Sequence, residues 1–170
     1  MFEELQPTLK SEENTERPYN LATKVIKDDR PFHPQRLWDV CHKYLDTRIY
    51  RSKGFFWLAS RNSQSLLWNQ AAGGINLALM GTWRTAIVED KNNGLLKEEL
   101  KVLKENLKNE TGRFGDRRCD LTIIGHKDHV NQFSEKLKSC FLNDEEIKKW
   151  KSGINFKDPW PKNIINVKNK

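Results

Sequence analysis

The sequence predicts an α+β fold, a two-layer sandwich in which a mainly antiparallel sheet of about five or six strands carries its helices on one face. Three observations lead to this class. In residues 51–60, Gly54 is followed by an unbroken apolar run bounded by polar residues, which is typical of a central strand. Residues 65–87 hold apolar segments joined by short turns, and such strands are antiparallel neighbours. Further segments repeat large apolar residues at helical spacing.

The first elements of the chain are a strand and a helix, followed by the central strand. Residues 19–27 alternate in the manner of a strand, and Pro31 then interrupts the chain. Pro34 suits the first turn of a helix, which we expect to end near Asp46. The central strand follows over residues 47–60.

Three more strands are expected next, over residues 65–71, 75–80 and 83–87. Gly73-Gly74 separates the first two of them, because glycine reaches backbone conformations that other residues avoid. Gly81-Thr82 fits a two-residue hairpin loop before the third.

The last part of the chain is predicted to contain most of the helices. Leucines at helical spacing mark a helix over residues 96–107, and a strand over 119–125 precedes a helix over 127–141. Asn143 and Glu146 form a capping box at the start of a final short helix, and Gly153 ends it. We expect residues 1–18 to be a linker or disordered lead-in, 19–160 one domain, and 161–170 a basic tail.

The sequence leads us to expect a cytoplasmic protein. No apolar stretch approaches the roughly 20 residues of a membrane-spanning helix. The N-terminal segment is acidic and lacks the apolar core of a secretory signal. Cys41, Cys119 and Cys140 are widely spaced and odd in number, so we interpret them as buried thiols in a reducing compartment.

The net charge of +7 raises the alternative of a nucleic-acid-binding module. Residues 1–20 carry −3, which leaves +10 on the rest of the chain. That charge is mixed with glutamates along the helices and ends in a lysine-rich tail. No compact basic stripe with interleaved aromatic residues is present, so the sequence favours a solvated surface.

Motifs for catalysis are absent from the sequence. It contains no phosphate-binding Gly-x-x-x-x-Gly-Lys-Ser/Thr loop and no Gly-x-Ser-x-Gly nucleophile elbow, so we expect no enzymatic activity of this chain alone. We assign no metal site. His126 and His129, three residues apart at a helix start, are weak candidates for metal ligands because they could face the same way. Two exposed histidines are the simpler interpretation, because a metal site needs three or four ligands at known spacing.

Two groups of residues are candidates for contacts with a partner. Trp57, Trp68 and Trp83 are most simply core residues, although Trp68 and Trp83 could instead lie on an open sheet face as binding anchors. The segment 113–118 is either a solvated basic loop or a structured docking element, and the sequence leaves both open.

Five blocks of sequence in a fixed order point to a known family. They are Arg-Pro-Phe-His-Pro-Gln-Arg-Leu (30–37), Arg-Ser-Lys-Gly-Phe-Phe-Trp-Leu-Ala (51–59), Trp-Asn-Gln-Ala-Ala-Gly-Gly (68–74), Gly-Thr-Trp (81–83), and Gly-Asp-Arg-Arg (115–118) followed by the strand 121–125. Between residues 19 and 160 the chain therefore resembles the C-terminal domain of the CobW family of metallochaperone GTPases.

The resemblance implies an accessory domain in metal homeostasis, related to cobalamin biosynthesis. In that family the domain follows a GTPase domain that carries the phosphate loop and a cysteine-rich metal motif, neither of which this sequence contains. GTP, magnesium, and zinc or cobalt are therefore implied only for a full-length member. The histidine-rich stretch of some members is also missing, which weighs against metal storage here.

The expected partners are a CobW-type GTPase domain, in the same or a separate chain, and a client metalloprotein. Neither a membrane nor a nucleic acid is expected. The alternatives are the nucleic-acid-binding module and a small independent metal carrier that uses His126, His129 and a cysteine. The residues predicted to contact a protein partner are Arg30, His33, Arg36, Arg51, Lys53, Trp68, Trp83, Asp116, Arg117 and Arg118.

Overall fold

A five-stranded antiparallel sheet forms the framework of the computed structural model, which describes residues 20–71, 74–110 and 112–164. The strands are β1 (Leu21–Asp28), β2 (Ile49–Phe56), β3 (Gln64–Ala71), β4 (Gly74–Thr82) and β5 (Cys119–His126). Their order across the sheet is β1-β5-β2-β3-β4, so β2 is the central strand, as predicted. The predicted lead-in, most of the predicted basic tail, and Gly73 lie outside the described residues.

The helices are α1 (Pro34–Tyr44), α2 (Arg84–Glu89), α3 (Lys97–Leu107), α4 (Lys127–Lys138) and α5 (Asp144–Lys151). Helices α1 and α4 cover one face of the sheet, and their apolar sides join the strands in one core cluster. The predicted α+β sandwich is thereby confirmed. None of the described helices is long and apolar enough to span a bilayer.

The covered face is apolar and fully buried at its centre. Ile26, Leu121 and Ile123 pack there against α1 and α4. Gly54 allows β2 and β5 to approach closely, because a Cβ atom at this residue would lie only 1.9 Å from the carbonyl oxygen of Asp120. Its φ of +155° also disfavours any other residue.

A buried polar network also lies on the covered face. The indole N–H of Trp68 donates to Ser52 Oγ at 2.7 Å, and the Ser52 hydroxyl donates to Gln70 Oε1 at 2.7 Å. The Gln70 side-chain amide donates in turn to the carbonyl of Ile49. Because each of these polar groups has a partner, the network can be buried without a large desolvation cost.

The opposite face, which we call the open face, has no buried residue among those described. Thr23, Val25 and Lys27 of β1, Arg51 and Lys53 of β2, Ala71 of β3 and Asn76 of β4 are exposed there. The residues of β5 on this face, and Leu67 and Asn69 of β3, are half-buried. The chain therefore leaves one side of its sheet uncovered in the described structure.

The prediction of a strand over residues 83–87 is wrong, as is that of the hairpin loop at Gly81-Thr82. Strand β4 continues to Thr82, and Arg84–Glu89 forms helix α2. The carboxylate of Asp116 accepts hydrogen bonds from the backbone N–H groups of Arg84 and Thr85 at 2.8 and 3.0 Å. These are unpaired donors at the first turn of α2, so a distant residue stabilises a helix that the local pattern does not predict.

A second apolar cluster lies at the end of the sheet where β2 ends. Trp57 is its fully buried centre and contacts Phe114 and Trp150 edge to face, with ring centroids 5.4 and 5.6 Å apart. Helix α5 joins this cluster through Ile147. The predicted capping box at its start is confirmed, because Asn143 and Glu146 each bond the other's backbone N–H.

Candidate docking surface

The open face combines positive charge with exposed apolar side chains. Arg51 and Lys53 project from the central strand, and Lys27 lies at the β1 edge. Lys27 is exposed and lies 3.9 Å from the half-buried Asp120 carboxylate, a long contact that neutralises little charge. Arg51 and Lys53 have no ion-pair partner among the described residues. The face is therefore basic at its centre.

Apolar side chains frame this basic centre. Val25 is 53% exposed on β1, while Phe55, Leu67 and Ile124 on the other strands of this face are half-buried. Exposed apolar residues grouped with cations on one flat surface are typical of a protein-binding site. Val25 is not among the residues predicted to contact a partner, although its alternation with buried Ile26 indicates that it is exposed.

Arg118 closes one end of the open face. Its guanidinium carbon lies 5.5 Å from the centroid of the Phe55 ring, at cation–π distance. Phe55 also contacts Trp83 edge to face. Arg118 is exposed, so its charge extends the basic centre of the face toward α2. Among the residues predicted to dock, Arg51, Lys53 and Arg118 are thus brought together.

The loop at residues 112–118 is a structured element. Asp116 is buried and accepts the hydrogen bonds at the start of α2, together with one from the Thr85 hydroxyl. Burial alone would raise the pKa of Asp116, but the hydrogen bonds from Thr85 and from the backbone of Arg84 outweigh it and keep this pKa below its ordinary value. Arg117 is also buried, with its guanidinium bonded to the Asn62 carbonyl and to Glu89.

The predicted docking loop at Arg30–Arg36 joins β1 to α1, which lies on the covered face, and its side chains contact α5 and the residues before it. Arg30 forms a two-point ion pair with Asp28. His33 caps α1, its Nδ1 accepting from the backbone N–H of Arg36. Arg36 in turn forms a two-point ion pair with Glu146 and donates to the Phe141 carbonyl.

The electrostatics of that loop are consistent with a structural role. Burial lowers the pKa of His33, and the nearby Arg36 cation lowers it further, so the neutral form that caps the helix is favoured. Burial alone would raise the pKa of Glu146, but its hydrogen bonds from Arg36 and the Asn143 backbone give a net lowering. Both groups therefore hold the charge states that the contacts require at neutral pH.

The interpretation of Trp68 and Trp83 as binding anchors on the open face is wrong. Trp68 is completely buried on the covered face, beneath the helices. Trp83 is 7% exposed and packs in the second cluster, where its indole N–H donates to the Gln64 carbonyl at 3.0 Å. Their simpler interpretation as core residues is confirmed.

His126 and His129 lie together where β5 passes into α4. Their Nδ1 atoms are 3.4 Å apart, and both side chains are half-buried. In the described part of the chain, no three histidine, cysteine or carboxylate side chains converge on a point that could hold a metal ion. The three cysteines are buried, and burial raises the pKa of each thiol, that of Cys140 to about 11.

Comparison with known proteins gives one family match. The sequence model of the cobalamin synthesis protein cobW C-terminal domain matches residues 21–141. This segment contains the five described strands and both helices that cover the sheet, α1 and α4. The match includes β1 and ends just before α5, so it coincides with the sheet and the layer that covers it.

Two curated relatives extend this finding. The zinc-regulated GTPase metalloprotein activator 1 of Dictyostelium discoideum is 32% identical over 134 residues, which cover 76% of this chain and 27% of the relative. The zinc chaperone Rv0106 of Mycobacterium tuberculosis is 28% identical over 140 residues, covering 77% of this chain and 33% of that protein. The chain thus spans about a third or less of the length of these relatives.

Among solved structures, the Zn(II)-bound YjiA GTPase from E. coli aligns with 72% of this chain and 30% of its own. The TM-score is 0.48, and the sequences are 11% identical.

Proposed function

The chain belongs to the family of cobalamin synthesis protein cobW C-terminal domains, and from this we propose that it is the accessory domain of a GTP-dependent metallochaperone. Its role is to bind a GTPase domain, in the same or a separate chain, and to couple the nucleotide state to delivery of zinc or cobalt to a client metalloprotein. The chain itself contributes binding and no catalytic step. The observation that carries the proposal is the uncovered sheet face within the segment that the family model matches.

The open face is the docking surface in this proposal. Val25, Phe55 and Ile124 supply apolar area that a partner can remove from water. Arg51 and Lys53 supply unpaired positive charge that selects a partner with carboxylates opposite them. Charged groups arranged in this way guide association and fix the orientation of the two proteins.

The loops predicted to dock divide into two classes under this proposal. Arg118 belongs to the docking surface, because its exposed guanidinium adjoins Phe55. Asp116 and Arg117 act indirectly, by holding the loop that leads to Arg118. Both are buried and hydrogen-bonded to α2. Arg30, His33 and Arg36 hold α1 and α5 in place and remain only indirect contributors.

Binding to the GTPase part of the Dictyostelium relative tests the proposal. We expect isothermal titration calorimetry to detect a complex between that part, loaded with a GTP analogue, and this chain. The double variant Arg51→Glu with Lys53→Glu should weaken the complex at least tenfold. A matched control, Lys136→Glu with Lys138→Glu, changes the same charge on the exposed side of α4 and should have little effect.

Two results would contradict the proposal. One is equal weakening by the two double variants, which would mean that net charge alone drives the binding. The other is GTP hydrolysis by this chain alone above the buffer rate, which would place catalysis within the accessory domain.

A further inference from the structure

The two edges of the sheet differ in charge. Strand β1, at one edge, carries Lys24, Lys27 and Asp28, and charged residues of this kind discourage pairing with another strand. Strand β4, at the other edge, has the sequence Gly-Ile-Asn-Leu-Ala-Leu-Met-Gly-Thr over 9 residues. It has no charged residue and no proline. Over residues 75–79 the β4 edge therefore lacks the charges and prolines that discourage association of sheet edges. The register shift in the pairing of β4 with β3 lies beyond these residues, between Leu79 and Gly81.

The apolar side chains of β4 are incompletely covered. Ile75, Leu77 and Leu79 pair with β3 and belong to the covered side of the sheet, yet all three remain half-exposed. No residue of β4 is buried, whereas Leu66, Trp68 and Gln70 of neighbouring β3 are. The helical layer thus stops short of the last strand.

A cleft follows from this missing cover. It has a volume of about 750 Å³ and lies between β4 on one side and α1 with the segment 160–164 on the other. Trp38, Trp160 and Ile164 line it together with Ile75 and Leu77. Because edge strand β4 contributes residues 75–78 to its lining, the cleft can accept apolar side chains from a strand added beside β4.

We propose that β4 pairs with β4 of a second copy of this chain, joining two five-stranded sheets edge to edge. In the described structure β4 is hydrogen-bonded to β3 alone, so its outer backbone groups are available for an antiparallel partner. A two-fold axis at Leu77 places Leu77 opposite its symmetry mate and Ile75 opposite Leu79 of the other copy. The half-exposed apolar residues of β4 on the covered side then lie opposite one another.

A second copy fits this edge better than other occupants do. A two-fold pairing matches the half-exposed Ile75, Leu77 and Leu79 of one copy with the same three residues of the other. A strand without charge also suits self-association of a protein whose net charge is +7, since the two copies meet where neither brings a like charge. The pairing leaves the open face free, so it is independent of the proposed function.

Sedimentation equilibrium of the 170-residue chain tests the proposal. We expect a monomer–dimer equilibrium at micromolar concentration. Leu77→Lys, which places two lysines opposite each other across the axis, should raise the dissociation constant at least tenfold. Val25→Lys is the matched control, because it adds the same charge to an exposed apolar residue on β1 at the other edge, and it should leave the constant within about twofold.

Cross-linking tests the register without relying on destabilisation. Under mild oxidation we expect Leu77→Cys to form a covalent dimer, because its thiols face each other across the axis, and Val25→Cys to remain monomeric. A monomeric wild-type chain at 100-fold higher concentration would overturn the proposal. So would a dimer that Leu77→Lys leaves intact, or a chain that dimerises only after residues 165–170 are removed.

Discussion

The two faces of the sheet are made by the same strands, yet they differ in what they can do. On β5, Ile123 is completely buried beneath α1 and α4, while its neighbour Ile124 is half-buried on the open face. On β2, buried Ser52 belongs to the polar network, while Arg51 and Lys53 on either side of it face solvent. One face holds the fold together, and the other is available for a partner. Substitutions on the covered face should therefore change mainly stability, and substitutions on the open face should change mainly partner binding.

The largest difference is expected between Ile123→Ala and Ile124→Ala. Ile123→Ala leaves a cavity under the helices and should lower the free energy of unfolding by about 2–5 kcal/mol. Ile124→Ala removes side-chain area that is already half-hydrated and should cost about 1 kcal/mol or less. Urea unfolding measures both free-energy changes, provided that the two variants have the same dependence of unfolding free energy on urea concentration. Equal losses would mean that the open face is covered in solution.

Asp116→Ala should have the next largest effect. The buried carboxylate accepts hydrogen bonds from Arg84, Thr85 and the Thr85 hydroxyl, and its removal leaves these donors without a partner. We expect a loss of about 1–3 kcal/mol. Asp120→Ala, a half-buried carboxylate of the open face, serves as the control and should cost clearly less.

The contribution of Asp116 should also depend on pH. Its folded-state pKa lies below the ordinary value of 3.8, so its ionised form stabilises the folded protein. This stabilisation is fully present above that ordinary value and is lost as the pH falls through the lower, folded-state pKa. The difference in unfolding free energy between the wild type and Asp116→Ala should therefore shrink below about pH 4. A difference that grows with acidity would contradict this assignment.

Arg36→Ala should have a smaller effect, because the Arg36 side chain is 36% exposed. It loses a two-point ion pair with Glu146 and the bond to the Phe141 carbonyl. After allowance for solvent screening, we expect about 1 kcal/mol or less. Arg36→Lys keeps the charge but cannot donate from two guanidinium nitrogens to Glu146, so it should recover only part of the loss. If Arg36→Lys equals the wild type in urea unfolding, the geometry of the pair is unimportant.

The smallest change in stability is expected for Arg51→Glu with Lys53→Glu. Both side chains are exposed on the open face, so the free energy of unfolding should stay within about 0.5 kcal/mol. The same double variant is expected to lose partner binding at least tenfold. Large destabilisation in thermal unfolding would show that these cations support the fold and would remove the contrast between the faces.

Local patterns were sufficient to predict most of the sheet. The apolar run after Gly54 identified the central strand, and the alternation of Cys119, Leu121 and Ile123 identified β5. The capping box at Asn143 and Glu146 is likewise a local signal, and it marked the start of α5 correctly. These elements were predictable because the interactions that define them lie within a few residues of sequence.

The errors arose where distant residues decide the structure. Residues 83–87 alternate like a strand and contain β-branched residues, but Asp116, 31 residues from Thr85, caps them as a helix. Trp68 lies among consecutive apolar residues, so alternation alone does not say which face it occupies. Its burial depends on Ser52 and Gln70, whose polar side chains the sequence would place in solvent.

The position of β5 between β1 and β2 has a consequence for how the protein is made. Strands β2, β3 and β4 are consecutive and can pair as soon as Thr82 has left the ribosome. Strand β1 has no neighbour until Cys119–His126 is synthesised, about a hundred residues later. During translation, a nascent chain therefore exposes apolar residues on the covered side of β2, β3 and β4. The open face becomes continuous only when β5, the last described strand, has been synthesised.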